Sequence, residues 1–153
     1  MTELLIVVAS LAVVFALVAP RMTTLREGSS LRAAHQELAA TFSAARAAAL
    51  QKGKPSFLTL SSNSVTVRVN SGLASQLVTV YGPVRFDQSL GVTVRSLGNA
   101  PNVVSYNGRG MMMNVMDEDE DDEVFRYELR SGATRDTLCI SRAGLILSKT
   151  CQL

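Results

Sequence analysis

Residues 3–21 read ELLIVVASLAVVFALVAPR, and this stretch decides the fold. Glu3 is the only charge before Arg21, and Ser10 is the only polar interruption of the apolar run from Leu4 to Ala19. A carboxylate at the head of such a run is costly unless another charge meets it, which makes Glu3 a functional position rather than a spacer. As a helix the sixteen residues of the run rise about 24 Å, short of the roughly 30 Å hydrocarbon core of a bilayer. The run reads as an anchor that spans only if something extends its front. A cleavable secretory signal is the competing reading, but such a signal begins basic where this one begins acidic, and a cut after Ala19 would set Pro20 beside the scissile bond. Arg21, Arg26 and Arg32 follow the run and nothing basic precedes it, which by the positive-inside rule puts the body in the cytoplasm. A basic leader ahead of Met1 would reverse that orientation.

Beyond Pro20 the pattern changes. Leu31, Ala34, Leu38, Phe42, Ala45 and Ala49 recur at spacings of three and four, one apolar stripe of an amphipathic helix. Arg32, Gln36, Glu37, Ser43 and Arg46 fall between them as a wet face, and the alanines allow close approach to a sheet. The helix is expected to stop near Gln51, where Lys52, Gly53 and Pro55 supply a cation, a left-handed position and a breaker. Pro20 removes one backbone donor and Gly28 weakens the helix by about 1 kcal/mol, so a bend or loosening is expected between them.

After Pro55 the period becomes two. Short β-type runs are Phe57 to Leu60, Val65 to Val69, Leu77 to Tyr81, Val84 to Phe86, Val92 to Val94, Val103 to Tyr106, Met111 to Met116, Val124 to Leu129, Leu138 to Ser141 and Leu145 to Ser148. Turn formers such as Asn70-Ser71-Gly72, Asn107-Gly108 and Ser131-Gly132 separate them. The expected fold is α+β: a long N-terminal helix, half membrane or filament core (1–20) and half amphipathic (21–53), packed on an antiparallel β domain (54–153) laid out as a meander. The methionines of 111–116 are expected to fill its core. About 130 residues follow the anchor, enough for one modest core.

Net charge is +2, yet Asp117 to Glu123 is an unbroken run of seven acids, and without it fifteen basic residues stand against six acidic ones, a body of +9. A basic surface is therefore expected alongside one concentrated acidic segment.

An acid-headed apolar helix running into an amphipathic helix and a β domain resembles the type IV pilin and type II secretion pseudopilin superfamily. Residues Thr2 to Ala9 resemble the end of its processing signature, and Pro20 stands seventeen residues after Glu3, as the family's proline does. Residues Leu31 to Leu38, Ala45 to Ala49 and Lys52 to Pro55 resemble the GspH/FimT minor pseudopilin branch; together these motifs cover about a third of the chain. The resemblance implies a pilin-like fold, a prepilin peptidase acting on a longer precursor, and a single-pass inner-membrane protein with its β domain in the periplasm. Glu3 would pair with the amino terminus of a neighbouring pilin as the subunit enters a filament, of a type II secretion pseudopilus or a type IV pilus. The leader and its glycine are not part of the chain as written, so Met1 is expected to occupy a position normally held by leucine.

In an oxidising compartment Cys139 and Cys151, with eleven residues between them, would form a staple that stabilises by roughly 3 kcal/mol; two separate thiols are the alternative. DNA-binding members of the family carry glycine-arginine-any-arginine in the terminal strands, where this chain has Gly144-Leu145-Ile146-Leu147. A role in DNA uptake is the second reading, resting on Arg109, Arg142 and Lys149 as phosphate contacts. Asp117, Asp119 and Asp121 could ligate calcium, although the acidic run lacks the spacing glycines of a calcium loop. His35 is the sole histidine, and neither a nucleophile elbow nor a phosphate-binding glycine loop is present. No cofactor and no catalysis are expected. A membrane-anchored domain unrelated to filaments is the third possibility.

Overall fold

The structure, a computed structural model, describes residues 2–61, 63–71, 76–113, 124–141, 143–147 and 151. One helix, α1 (Thr2–Lys52), carries both the apolar run and the amphipathic stripe. Its C-terminal half forms for the reason the spacing gives: Leu31, Ala34, Leu38, Phe42, Ala45 and Ala49 are all buried. It ends where expected. Gly53 adopts φ of 62°, a conformation that costs other residues a steric clash, and the Lys54 amide caps the Ala49 carbonyl at 3.3 Å.

Two antiparallel four-stranded sheets follow. The first contains β1 (Ser56–Leu60), β2 (Ser64–Asn70), β3 (Leu77–Arg85) and β5 (Val103–Tyr106) in the order β3-β2-β1-β5. The second contains β4 (Thr93–Leu97), β6 (Val124–Ser131), β7 (Thr134–Ser141) and β8 (Ile146–Leu147) in the order β4-β6-β7-β8. Val65, Val67 and Val69 of the first sheet and Phe125, Tyr127 and Leu129 of the second alternate inward and are buried. The α1 stripe packs on strands of both sheets. Phe42 meets Tyr127 with ring centroids 5.3 Å apart, and the buried Ser56 hydroxyl ties the start of β1 to the Ala45 carbonyl at 2.7 Å.

The expected single meander is thus corrected to two sheets. Val84 lies within β3, which ends at Arg85, while Phe86, assigned to a strand from the sequence, opens a five-residue helix α2 (Phe86–Leu90) and is itself fully buried. Gly91 then turns the chain into β4, which crosses to pair with β6, and β5 returns to β1. The physical reason is economy of burial. One helical stripe cannot cover eight strands laid flat, whereas two sheets can each turn an apolar face toward it. The methionine segment is corrected as well: Met112 bridges Tyr106 and packs on the core, but Met111 and Met113 are exposed. Met116 lies outside the described residues.

Candidate assembly site

The exposed half of α1 is the most unusual surface of the molecule. Glu3 and residues 6–16 are solvent-exposed, with Leu4 at 68% and Phe15 at 70%, and Ile6, Val7, Val8, Leu11, Val13 and Val14 at half or more. Exposed apolar groups on this scale belong to an interface. The same helix runs through Pro20 and Gly28 as one element, and a Cβ at Gly28 would meet nothing within 4 Å. Among the described residues, no helix is long and apolar enough to cross a membrane.

Where α1 enters the domain, polar contacts fix its direction. The Thr134 hydroxyl, at the start of β7, donates to Glu27 at 3.1 Å. One turn beyond Leu31, His35 Nδ1 lies 3.0 Å from Asp136 Oδ2, both side chains under a quarter exposed. The Tyr81 hydroxyl on β3 donates to Glu37 at 2.7 Å; that hydrogen bond, more than burial, raises the phenol's pKa above its ordinary value. Sequence reasoning placed His35 beside the stripe but missed all three partners, which lie 44 to 107 residues away.

Of the remaining expected site residues, Cys139, Cys151 and Arg109 are described. Cys139 on β7 and Cys151 form a disulfide with Cα atoms 5.4 Å apart, closing a loop that includes β8. Arg109 is exposed at the tip of a turn held by Asn107, whose side-chain oxygen accepts from the Arg109 and Met111 amides. That turn lies so close to the end of α1 that a Cβ at Gly108 would come 2.6 Å from the Gly53 carbonyl oxygen. Arg142, Lys149, Asp117, Asp119 and Asp121 lie outside the described residues, so the turn, not a cluster, is what the structure shows of the phosphate-contact set. At Leu145, aligned with the first arginine of the DNA-binding pattern, an apolar side chain is 53% exposed. Among the described residues no three histidine, cysteine or acidic groups gather to hold a metal.

One region is strained electrostatically. Tyr106 is fully buried on β5, and burial pushes its pKa up to about 12 despite the nearby Arg46. Its hydroxyl and the Arg46 Nε, on the helix face read as wet, are both buried without a hydrogen-bond partner. Tyr127 is equally buried, but its hydroxyl donates to the Pro101 carbonyl at 2.9 Å.

Comparison with known proteins finds no matching protein family and no matching curated sequence. A solved structure does match: the type IV minor pilin FimU of Pseudomonas aeruginosa strain PAO1, with a TM-score of 0.60 over 80% of this chain and 90% of that one, at 15% identity. That likeness is one of fold. This chain has a pilin-like α+β fold, a long N-terminal helix laid on antiparallel sheets.

Proposed function

We propose that the chain is a minor pilin or pseudopilin of the GspH/FimT kind, a structural subunit that enters a type IV pilus or type II secretion filament by its N-terminal helix. The exposed apolar half of α1, headed by Glu3 and continuous with the packed half, carries this reading. Burying one Leu, Val, Ile or Phe side chain is worth about 1.5–3 kcal/mol, so the run gains most from a bilayer before assembly and from neighbouring helices afterwards. In both settings Glu3 needs a positive partner, which an incoming subunit's amino terminus would supply. The disulfide supports an oxidising compartment for the β domain, and hence a periplasmic one. The role is structural rather than catalytic: the one histidine is used to join α1 to β7 through Asp136. The apolar Leu145 weighs against DNA uptake.

The test is exchange of the apolar run. Full-length protein in a pilus-bearing or secreting bacterium is compared with Glu3→Gln and with a version whose residues 4–19 are replaced by a generic leucine-alanine segment. The expected result is retained membrane association but loss of co-purification with the other filament subunits in both variants. Undiminished co-purification of both would reduce the helix to a plain anchor and overturn the reading.

A further inference from the structure

Beside the point where α1 enters the domain lies a groove of about 490 Å³ between α1, α2 and the end of β6. Arg26, Glu27 and Ser30 line it from α1, Asp87 and Leu90 from α2, and the buried Ser131 from β6. Arg26 and Ser30 stand one turn apart and so share a face of the helix. Arg26 is exposed, while Glu27 and Asp87 are half-buried. Both carboxylates are fixed by other contacts. Glu27 Oε2 accepts from the Thr134 hydroxyl at 3.1 Å, and a Cβ at Gly132 would come 2.5 Å from Glu27 Oε1. Asp87 Oδ1 accepts from the Gln88 amide at 2.8 Å. Among the described residues the ion pairs are His35–Asp136 and Glu128–Arg135, so Arg26, Glu27 and Asp87 meet no opposite charge.

A wall with one guanidinium and two carboxylates suits a ligand that carries both signs. A guanidinium matches a phosphate, whose oxygens accept its N–H groups. Carboxylates match a primary ammonium, which has three hydrogen bonds to donate, whereas a trimethylated ammonium has none. A phosphate without a cation would be repelled by the two carboxylates. The groove is within the size range of small-molecule sites, roughly 300–1,000 Å³.

Its height on the helix indicates the source of such a ligand. α1 is continuous from Thr2 to Lys52, so Arg26, seven residues beyond Ala19, sits about 10 Å past the end of the apolar run. Lipid headgroups form a layer about 5–8 Å deep outside the hydrocarbon. Helical side chains lean toward the helix N-terminus, which for Arg26 and Glu27 is back toward that layer.

We infer that the groove between α1 and α2 binds the phosphoethanolamine headgroup of a membrane lipid, with its phosphate on Arg26 and its ammonium on Glu27 and Asp87. The site rests on the reading that Leu4 to Ala19 lies in a bilayer before assembly. It would seat the domain on the membrane surface in one orientation, independently of the role proposed for Glu3.

The test uses isotope-labelled full-length protein in bicelles of phosphatidylcholine, doped with phosphatidylethanolamine or with phosphatidylglycerol. Phosphatidylethanolamine should shift the amide resonances of Asp87 to Gly91 and of Ser131 saturably, and phosphatidylglycerol should leave them in place. Arg26→Gln should abolish the response, Arg26→Lys should keep it, and Asp87→Asn should weaken it, with circular dichroism confirming the fold of each. Glycerophosphoethanolamine, the same headgroup without chains, should need about tenfold or more total concentration, because anchoring raises the effective concentration of the lipid at the groove. Equal potency would assign the groove to a soluble ligand. Equal shifts from both lipids, or an undiminished response in Arg26→Gln or Asp87→Asn, would reduce the effect to nonspecific surface contact. Each of these overturns the inference. Flotation with lipid vesicles separates it from the reading beneath it: a chain that floats but shows no shift loses the headgroup site alone, whereas one that does not float loses the membrane reading as well.

Discussion

At the scale of single residues, the two interior tyrosines separate what burial costs from what a hydrogen bond restores. Tyr127 reaches the Pro101 carbonyl, whereas the Tyr106 hydroxyl reaches nothing. An unpartnered buried hydroxyl is destabilising, so Tyr106→Phe should raise the unfolding free energy at neutral pH by about 1 kcal/mol. A pH series checks the cause. The folded-state pKa of about 12 lies above the ordinary 10.0, so the neutral phenol's contribution is complete below pH 10 and is lost as pH rises through 12. By linkage the loss amounts to about 2–3 kcal/mol. In Tyr106→Phe the alkaline decline should become shallower without vanishing, because burial also raises the pKa of Tyr127. Denaturant melts between neutral pH and pH 12 would show an unchanged decline if Tyr106 were not its source.

At the scale of elements, legibility followed sequence separation. The six stripe residues of α1 could be read because helical period is local, and all six are buried. The hairpins β1–β2 and β6–β7 were legible for the same reason. Phe86 was not, since a single apolar residue between Arg85 and Asp87 carries no period, and it starts α2 instead of extending β3. The Cys139–Cys151 link was legible once an oxidising compartment was supposed, with two separate thiols as the alternative, because spacing permits a pairing without choosing it. Its contribution is measurable: the cross-link restricts the unfolded chain, and losing it should lower stability by about 3 kcal/mol. Cys151→Ser should melt where the reduced parent melts, and reductant should leave the variant unmoved. A variant as stable as the oxidised parent would show that strand pairing of β8 alone holds this terminus.

At the scale of the whole molecule, the sequence conveyed that a helix would lie on strands but not that the strands would divide into two sheets. That division depends on the pairings of β1 with β5 and of β4 with β6, contacts that no local pattern encodes. The same holds for the ties that aim the helix, Glu27 to Thr134, His35 to Asp136 and Glu37 to Tyr81. All of them lie at or after residue 27, and the buried stripe starts at Leu31. Residues 3–16, by contrast, are exposed wherever their side chains are described. The domain should therefore not need the first half of α1 for its stability. A chain beginning at Arg26 should have an unfolding midpoint within about 3 °C of the full-length protein in detergent, since ΔΔG near zero barely moves the midpoint of a domain this size. The shortened chain should also lose the aggregation that an uncovered apolar helix causes. A fall of the midpoint by about 10 °C would correspond to more than 1 kcal/mol, and would mean that the apolar half of α1 stabilises the sheets directly.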